Sequence, residues 1–148
     1  MKKINKISIA CDHAGYKAKE YLKEYLTQKG HKVIDFGCFS EKSVDYPDFA
    51  HPMADSVEKD ETDFGISLCG SGNGINMTAN KHQDIRSALC WNTELARLAK
   101  KHNNANVCAL PARFVSKEEA REIIDTFIES EFEGGRHIKR VEKIPIKK

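Results

Sequence analysis

The chain contains no apolar run approaching the roughly 20 residues that a membrane-crossing helix needs, so no membrane role is expected. The start, Met1 to Ile7, carries lysines with no long apolar stretch behind them, because Ser8 and Asp12 interrupt it. A signal peptide is therefore not expected either. Charge of one sign is also lacking: 24 Lys and Arg against 22 Asp and Glu leave a net charge of +2. That balance excludes a general electrostatic pull toward nucleic acid, so any anion site must be local. There is no Cys-x-x-Cys pair. Cys11, Cys38, Cys69, Cys90 and Cys108 are odd in number and widely spread, which fits neither a zinc site nor a disulfide framework. Reduced thiols in a cytoplasmic protein are the simplest reading. Repeats, low-complexity tracts and linkers are missing as well. The 148 residues, 40% hydrophobic and 31% charged, thus read as one globular domain.

What is present alternates between two periodicities. Short strands are expected at Ile4–Cys11, Lys32–Phe36, Phe64–Leu68, Ile85–Cys90 and Asn106–Leu110. Between them lie helical patterns. Ala18, Tyr21, Leu22, Tyr25 and Leu26 mark a helix closed by Gly30, and Pro47 opens another running toward Lys59. A short helix is expected from about Ile75 to Lys81, then stripes at Leu95, Leu98 and Ala99 and at Ala120, Ile123, Ile124, Phe127 and Ile128. A last helix is expected over Glu133–Lys143, entered through Gly134-Gly135. Strands alternating with helices imply an α/β fold: a Rossmann-like three-layer α/β/α sandwich around a five-stranded parallel sheet.

Such sheets bind ligands beyond the carboxyl ends of their strands. Cys11-Asp12-His13, Cys69 to Gly74, Cys90-Trp91 and Pro111 to Arg113 are therefore the candidates. Gly70, Ser71, Gly72, Asn73 and Gly74 join a strand to a helix. Without Cβ atoms this backbone can turn tightly and aim N–H groups at an oxyanion, where a single glycine would mean only a turn. The spacing is not a dinucleotide fingerprint, and no Lys-Ser/Thr follows to make a phosphate-binding P-loop. Cys69 stands at the mouth of the loop, where a helix start favours a thiolate nucleophile or base. A small phosphatase would close such a loop with arginine, but Ile75 stands there. Asp12 and His13 can orient hydroxyls or meet a phosphate, and Asp12 can equally cap the first helix. His102 continues an apolar stripe, which suggests a core residue, while Lys101, Asn103, Asn104 and Asn106 suggest a wet edge. Arg136 and Arg140, four apart, can clamp a phosphate with Arg113 or simply belong to a solvated basic tail. Trp91 can shorten a pocket or pack in the core.

Together CDHAG at Cys11–Gly15, DYPDFA at Asp45–Ala50 and CGSGNGI at Cys69–Ile75 resemble the type B ribose-5-phosphate isomerases and their allose- and galactose-6-phosphate relatives. ANKHQDIRSALC at Ala79–Cys90, KHNNANV at Lys101–Val107 and EGGRHIKRV at Glu133–Val141 complete the match. The resemblance implies interconversion of D-ribose 5-phosphate and D-ribulose 5-phosphate through an enediolate, without metal or cofactor, in the non-oxidative pentose phosphate pathway. It makes Cys69 the base and His102 the acid that opens the furanose ring. With cysteine present and Ile75 where another branch carries glutamate, the chain resembles the cysteine branch. Asp12, Tyr46 and Asn103 resemble residues that handle hydroxyls, and Gly70 to Gly74, with Ser71, the loop that stabilises the enediolate. His13, Arg113, Arg136 and Arg140 resemble the phosphate site, with His137 beside it in no assigned role. The family forms homodimers or dimers of dimers with shared sites, so His102 and the arginines are expected to reach a partner's Cys69, with the tail helix helping to build dimer and phosphate site.

The chemistry suits these residue types. An aldose C2 proton is weakly acidic, so N–H donors must stabilise the enediolate as it forms. A remote phosphate positions the sugar. An imidazole moves protons at neutral pH. Three alternatives remain: a six-carbon sugar-phosphate isomerase, a sugar-phosphate-binding module without catalysis and, more distantly, a nicotinamide enzyme.

Overall fold

The computed structural model describes residues 3–147. Five strands, β1 (Lys6–Cys11), β2 (Lys32–Asp35), β3 (Phe64–Cys69), β4 (Ser87–Leu89) and β5 (Val107–Pro111), form one parallel sheet in the order β2-β1-β3-β5-β4. Helices α1 (Tyr16–Gln28), α4 (Thr93–Asn103) and α5 (Lys117–Glu129) pack together on one face. Helices α2 (Pro47–Glu58) and α3 (Asn73–Ala79) cover the other. The expected three-layer α/β/α sandwich is therefore the observed one.

The pleat explains the layering. Ile7, Ile9 and Cys11 of β1 face the core under α1 and α5 with Leu22, Leu26, Ile123 and Phe127. Ala10 faces α2 and packs with Met53, Ala54 and Val57. Ser8 is buried, and its hydroxyl lies 2.6 Å from both Ser56 Oγ and Thr62 Oγ1, so the polar group is paired. β3 is buried along its whole length, as its apolar composition demands of a central strand. Helix starts are marked by side chains that accept orphan N–H groups. Asn92 accepts from Leu95 N, and Ser116 and Glu119 form a reciprocal capping box on α5.

Most element boundaries shift by one or two residues from expectation, and two of the shifts have a local cause. β4 pairs only with β5 and is three residues long, because Ile85 N bonds back to His82 O and Arg86 N to the Asn106 side chain. The last helix, α6 (Arg136–Glu142), begins after Gly134 and Gly135 rather than at Glu133. Those glycines have φ of +71° and +57°, a left-handed backbone that ends any helix entering from Glu133.

One buried charge crosses the layers. The Lys19 side chain is fully buried, with Nζ 2.6 Å from Asp35 Oδ2 and 3.1 Å from Glu20 Oε2. Asp35 also accepts from Lys23 Nζ at 3.0 Å and from Gly37 N at 2.8 Å. Burial alone would raise the Asp35 pKa, but the bonds from Lys19, Gly37 and Lys23 outweigh it and hold the carboxyl below its ordinary range. Asp35→Asn is expected to cost about 2 kcal/mol in urea unfolding, because it leaves the buried ammonium with Glu20 as its one carboxylate partner. A depressed folded pKa stabilises fully above the unfolded value, about 3.9 for Asp. That share of stability is thus expected to drain as pH falls through the acidic range in wild type but not in Asp35→Asn.

Candidate active site

All five strands run the same way, so their carboxyl ends share one edge of the sheet. The order reverses between β1 and β3, with β2 on one flank and β3 on the other, and the loops leaving these two strands splay apart there. Asp12-His13 leaves β1, and the glycine loop leaves β3.

Cys69 closes β3, buried at 5% exposure and registered against Pro111 of β5. The loop after it is fastened to the end of β5 by Ala112 N to Cys69 O at 2.9 Å and Arg113 N to Gly70 O at 3.0 Å. Gly72 has φ of +78°, and a Cβ there would lie 3.2 Å from the Leu110 carbonyl carbon, so this glycine makes the turn. The other two glycines make room for candidate site residues. A Cβ on Gly70 would meet Arg113 Nη1 at 3.1 Å, and one on Gly74 would meet Tyr46 Oη at 2.6 Å. Ser71 Oγ accepts from Asn73 N at 3.3 Å, and α3 begins there with N–H groups facing the loop.

Asp12 does cap the turn before α1: Oδ1 accepts Ala14 N at 2.9 Å and Gly15 N at 3.3 Å. Its second oxygen leaves acceptor capacity for a hydroxyl. His13 Nδ1 accepts Val44 N at 3.2 Å, so the neutral ring carries its proton on Nε2 and donates there. Asp12, His13, Tyr46 and Arg113 border an open cleft of about 580 Å³. Trp91 is 54% exposed, so it does not pack in the core.

The remaining candidates lie elsewhere. α4 starts at the carboxyl edge and runs back for 11 residues, roughly 16 Å of helix. It therefore carries His102 and Asn103 to the opposite edge. The tail is fixed there by Glu133 N to Lys101 O at 3.0 Å and by Ile146 N to Gln83 Oε1 at 2.9 Å. Arg136 and Arg140 share exposed α6 positions four apart, as their spacing implies. Within one chain the structure does not bring His102, Asn103, Arg136 or Arg140 to Cys69. What reads in sequence as one set is two groups on opposite edges of the sheet.

The second group has its own order. The His102 and His137 rings stack with centroids 4.4 Å apart and planes 15° apart. His102 Nε2 lies 3.9 Å from Glu133 Oε1. His137 is buried, and its Nε2 has no partner among the described residues. Burial, His102 and Arg136 push the His137 imidazole below its ordinary pKa. One ligand atom from each of His102, Glu133 and His137 falls within 4.8 Å of the others, a spacing a cation can span. Glu133 opens the EGGRHIKRV stretch, but a single acid before two glycines has no periodic signal that assigns it a role.

The family model described as Ribose/Galactose Isomerase matches residues 7–144. The chain belongs to this family. It is 40% identical over 141 residues to ribose-5-phosphate isomerase B of Escherichia coli, covering 95% of each chain. It superposes on a ribose 5-phosphate isomerase structure from Thermotoga maritima with a TM-score of 0.94, at 50% identity and covering 95% of this chain and 97% of that one. The Mycoplasma genitalium ribose-5-phosphate isomerase B, solved with bound ribulose-5-phosphate, gives a TM-score of 0.90 at 43% identity, covering 94% of this chain and 93% of that one. No helix among the described residues is long and apolar enough to cross a membrane.

Proposed function

We propose that the chain interconverts D-ribose 5-phosphate and D-ribulose 5-phosphate through an enediolate, with Cys69 as the base. The observation that carries this reading is Cys69 at the mouth of the glycine loop, at the switch point of a chain in this isomerase family. The Cys69 thiolate takes the C2 proton of the open-chain aldose, and the resulting thiol returns it to C1 while the hydroxyl proton passes from O2 to O1. Charge that develops on the two oxygens meets the N–H groups of Gly70 to Gly74, donors already oriented before the reaction. Ring opening needs a proton on the furanose oxygen, which His102 of a second copy supplies. Asp12, Tyr46 and Asn103 hold hydroxyls. His13 and Arg113 face the phosphate from one chain, with Arg136 and Arg140 from the other. A homodimer, or a dimer of dimers, is the assembly this division requires. Reduced thiols and a phosphorylated substrate suit the cytoplasm.

Purified protein without added metal is expected to convert ribose 5-phosphate to ribulose 5-phosphate rapidly and allose 6-phosphate slowly. Faster turnover of allose 6-phosphate would keep the mechanism and move the substrate. Silence on both, from folded protein, would leave a binding module.

A further inference from the structure

We propose that His51, Asp55 and His82 form a site for a divalent transition cation such as zinc, clamping α2 to the turn that follows α3. This structural site is separate from the isomerase chemistry. α2 carries His51, Asp55 and Glu58 at i, i+4 and i+7, on one face. The turn after α3 brings His82 against that face. His82 Nδ1 lies 2.8 Å from Glu58 Oε1, and Glu58 Oε2 accepts Asp84 N at 3.0 Å. A neutral His82 that donates its Nδ1–H to this carboxylate keeps a lone pair on Nε2. That is the carboxylate–histidine arrangement found behind metal-ligating imidazoles.

That nitrogen accepts from another histidine: His82 Nε2 lies 2.8 Å from His51 Nδ1, with ring centroids 5.0 Å apart, and a cation between them replaces the shared proton as His51 shifts to its Nε2–H tautomer. Ligating atoms of Asp55, Glu58 and His82 all fall within 4.8 Å of one another, and His51, which touches His82 alone, must turn to meet Asp55 at the cation. His82 and Glu58 side chains are only 17% and 20% exposed, so their rotamers are restricted. A tetrahedral cation bonded at about 2.0–2.1 Å needs its two nitrogens about 3.3 Å apart. A small turn of the exposed His51 side chain opens that gap. Asp55 now holds Lys59 at 2.7 Å, an exposed helical pair that a cation displaces easily. Two imidazoles and a carboxylate select zinc, nickel or copper over magnesium and calcium, which take oxygen donors.

The test is calorimetric titration of chelator-stripped, full-length protein with zinc chloride, with circular dichroism to verify folding of each variant. One zinc per chain is expected here in wild type and still in His102→Asn, which removes the other histidine cluster. Binding here should be lost in His82→Ala and in His51→Ala, and weakened about 10–100-fold in Glu58→Gln. Loss in His51→Ala alone suffices if His82→Ala does not fold, because His51 is exposed. No saturable binding, or equal binding in wild type and both histidine variants, would overturn the proposal and leave a plain hydrogen bond between two imidazoles.

Discussion

Cys69→Ala is expected to lower kcat for ribose 5-phosphate by about 10²–10⁴-fold, the usual worth of a positioned general base, with KM changed little. The split follows from where the residues stand. Cys69 is buried at the root of the glycine loop, whereas Arg113, His13 and Tyr46 border the cleft beside it. Removing the thiol takes away the proton acceptor and leaves the groups proposed to bind phosphate and hydroxyls. Cys69→Ser keeps the shape but offers a hydroxyl that does not ionise near neutral pH, so it should resemble alanine. The check is steady-state kinetics in both directions, with exchange of solvent deuterium into substrate as a direct readout of proton abstraction. Exchange lost together with turnover fits the base. Exchange retained while turnover falls would assign Cys69 a different step and leave the proton acceptor to be sought elsewhere in the cleft.

Much of the fold is legible in the sequence because its local signals agree. The apolar run Phe64–Leu68 needs cover on both faces, and the stripes at Leu22 and Leu26 and at Ile123, Ile124 and Phe127 supply one of the covers. Strand order is not legible, because nothing in β4 or β5 says which of them lies beside β3; that is set by how whole helices pack. Lys19 shows another limit. A lysine in an amphipathic helix reads as solvated, and the approach of Asp35 from β2, with Glu20 beside it, makes its complete burial tolerable. The candidate site divides along the same line. Asp12, Cys69 and Arg113 follow from a rule about strand ends. His102, by contrast, sits on a stripe shared with the buried Ala99, and its own spacing suggests core as readily as chemistry. Resemblance alone singles it out, and the structure places it on the edge opposite Cys69, where its proposed work is on another molecule.

That separation makes a second large effect measurable. Cys69→Ala and His102→Asn are each expected to be nearly inactive as pure proteins, yet chains of both kinds co-expressed should recover activity. In a symmetric dimer every site takes Cys69 from one chain and His102 from the other. Random pairing makes half the dimers mixed, and each mixed dimer holds one site with both residues intact and one with neither. Recovery is therefore expected at about one quarter of wild-type activity, as a two-fold arrangement dictates. If Cys69 and His102 worked within one chain, no mixture would hold an intact site and activity would stay at the level of the single variants. The geometry favours the first outcome: α4 leaves the carboxyl edge where Cys69 lies and delivers His102 to the other edge, and the tail is fastened there beside it through Glu133 and Lys101. Purifying the mixed dimer with two different affinity tags, then assaying it alone, should give about half the wild-type rate per dimer. A mixed dimer as inactive as its parents would remove the second copy from the mechanism and require His102 to be assigned another role.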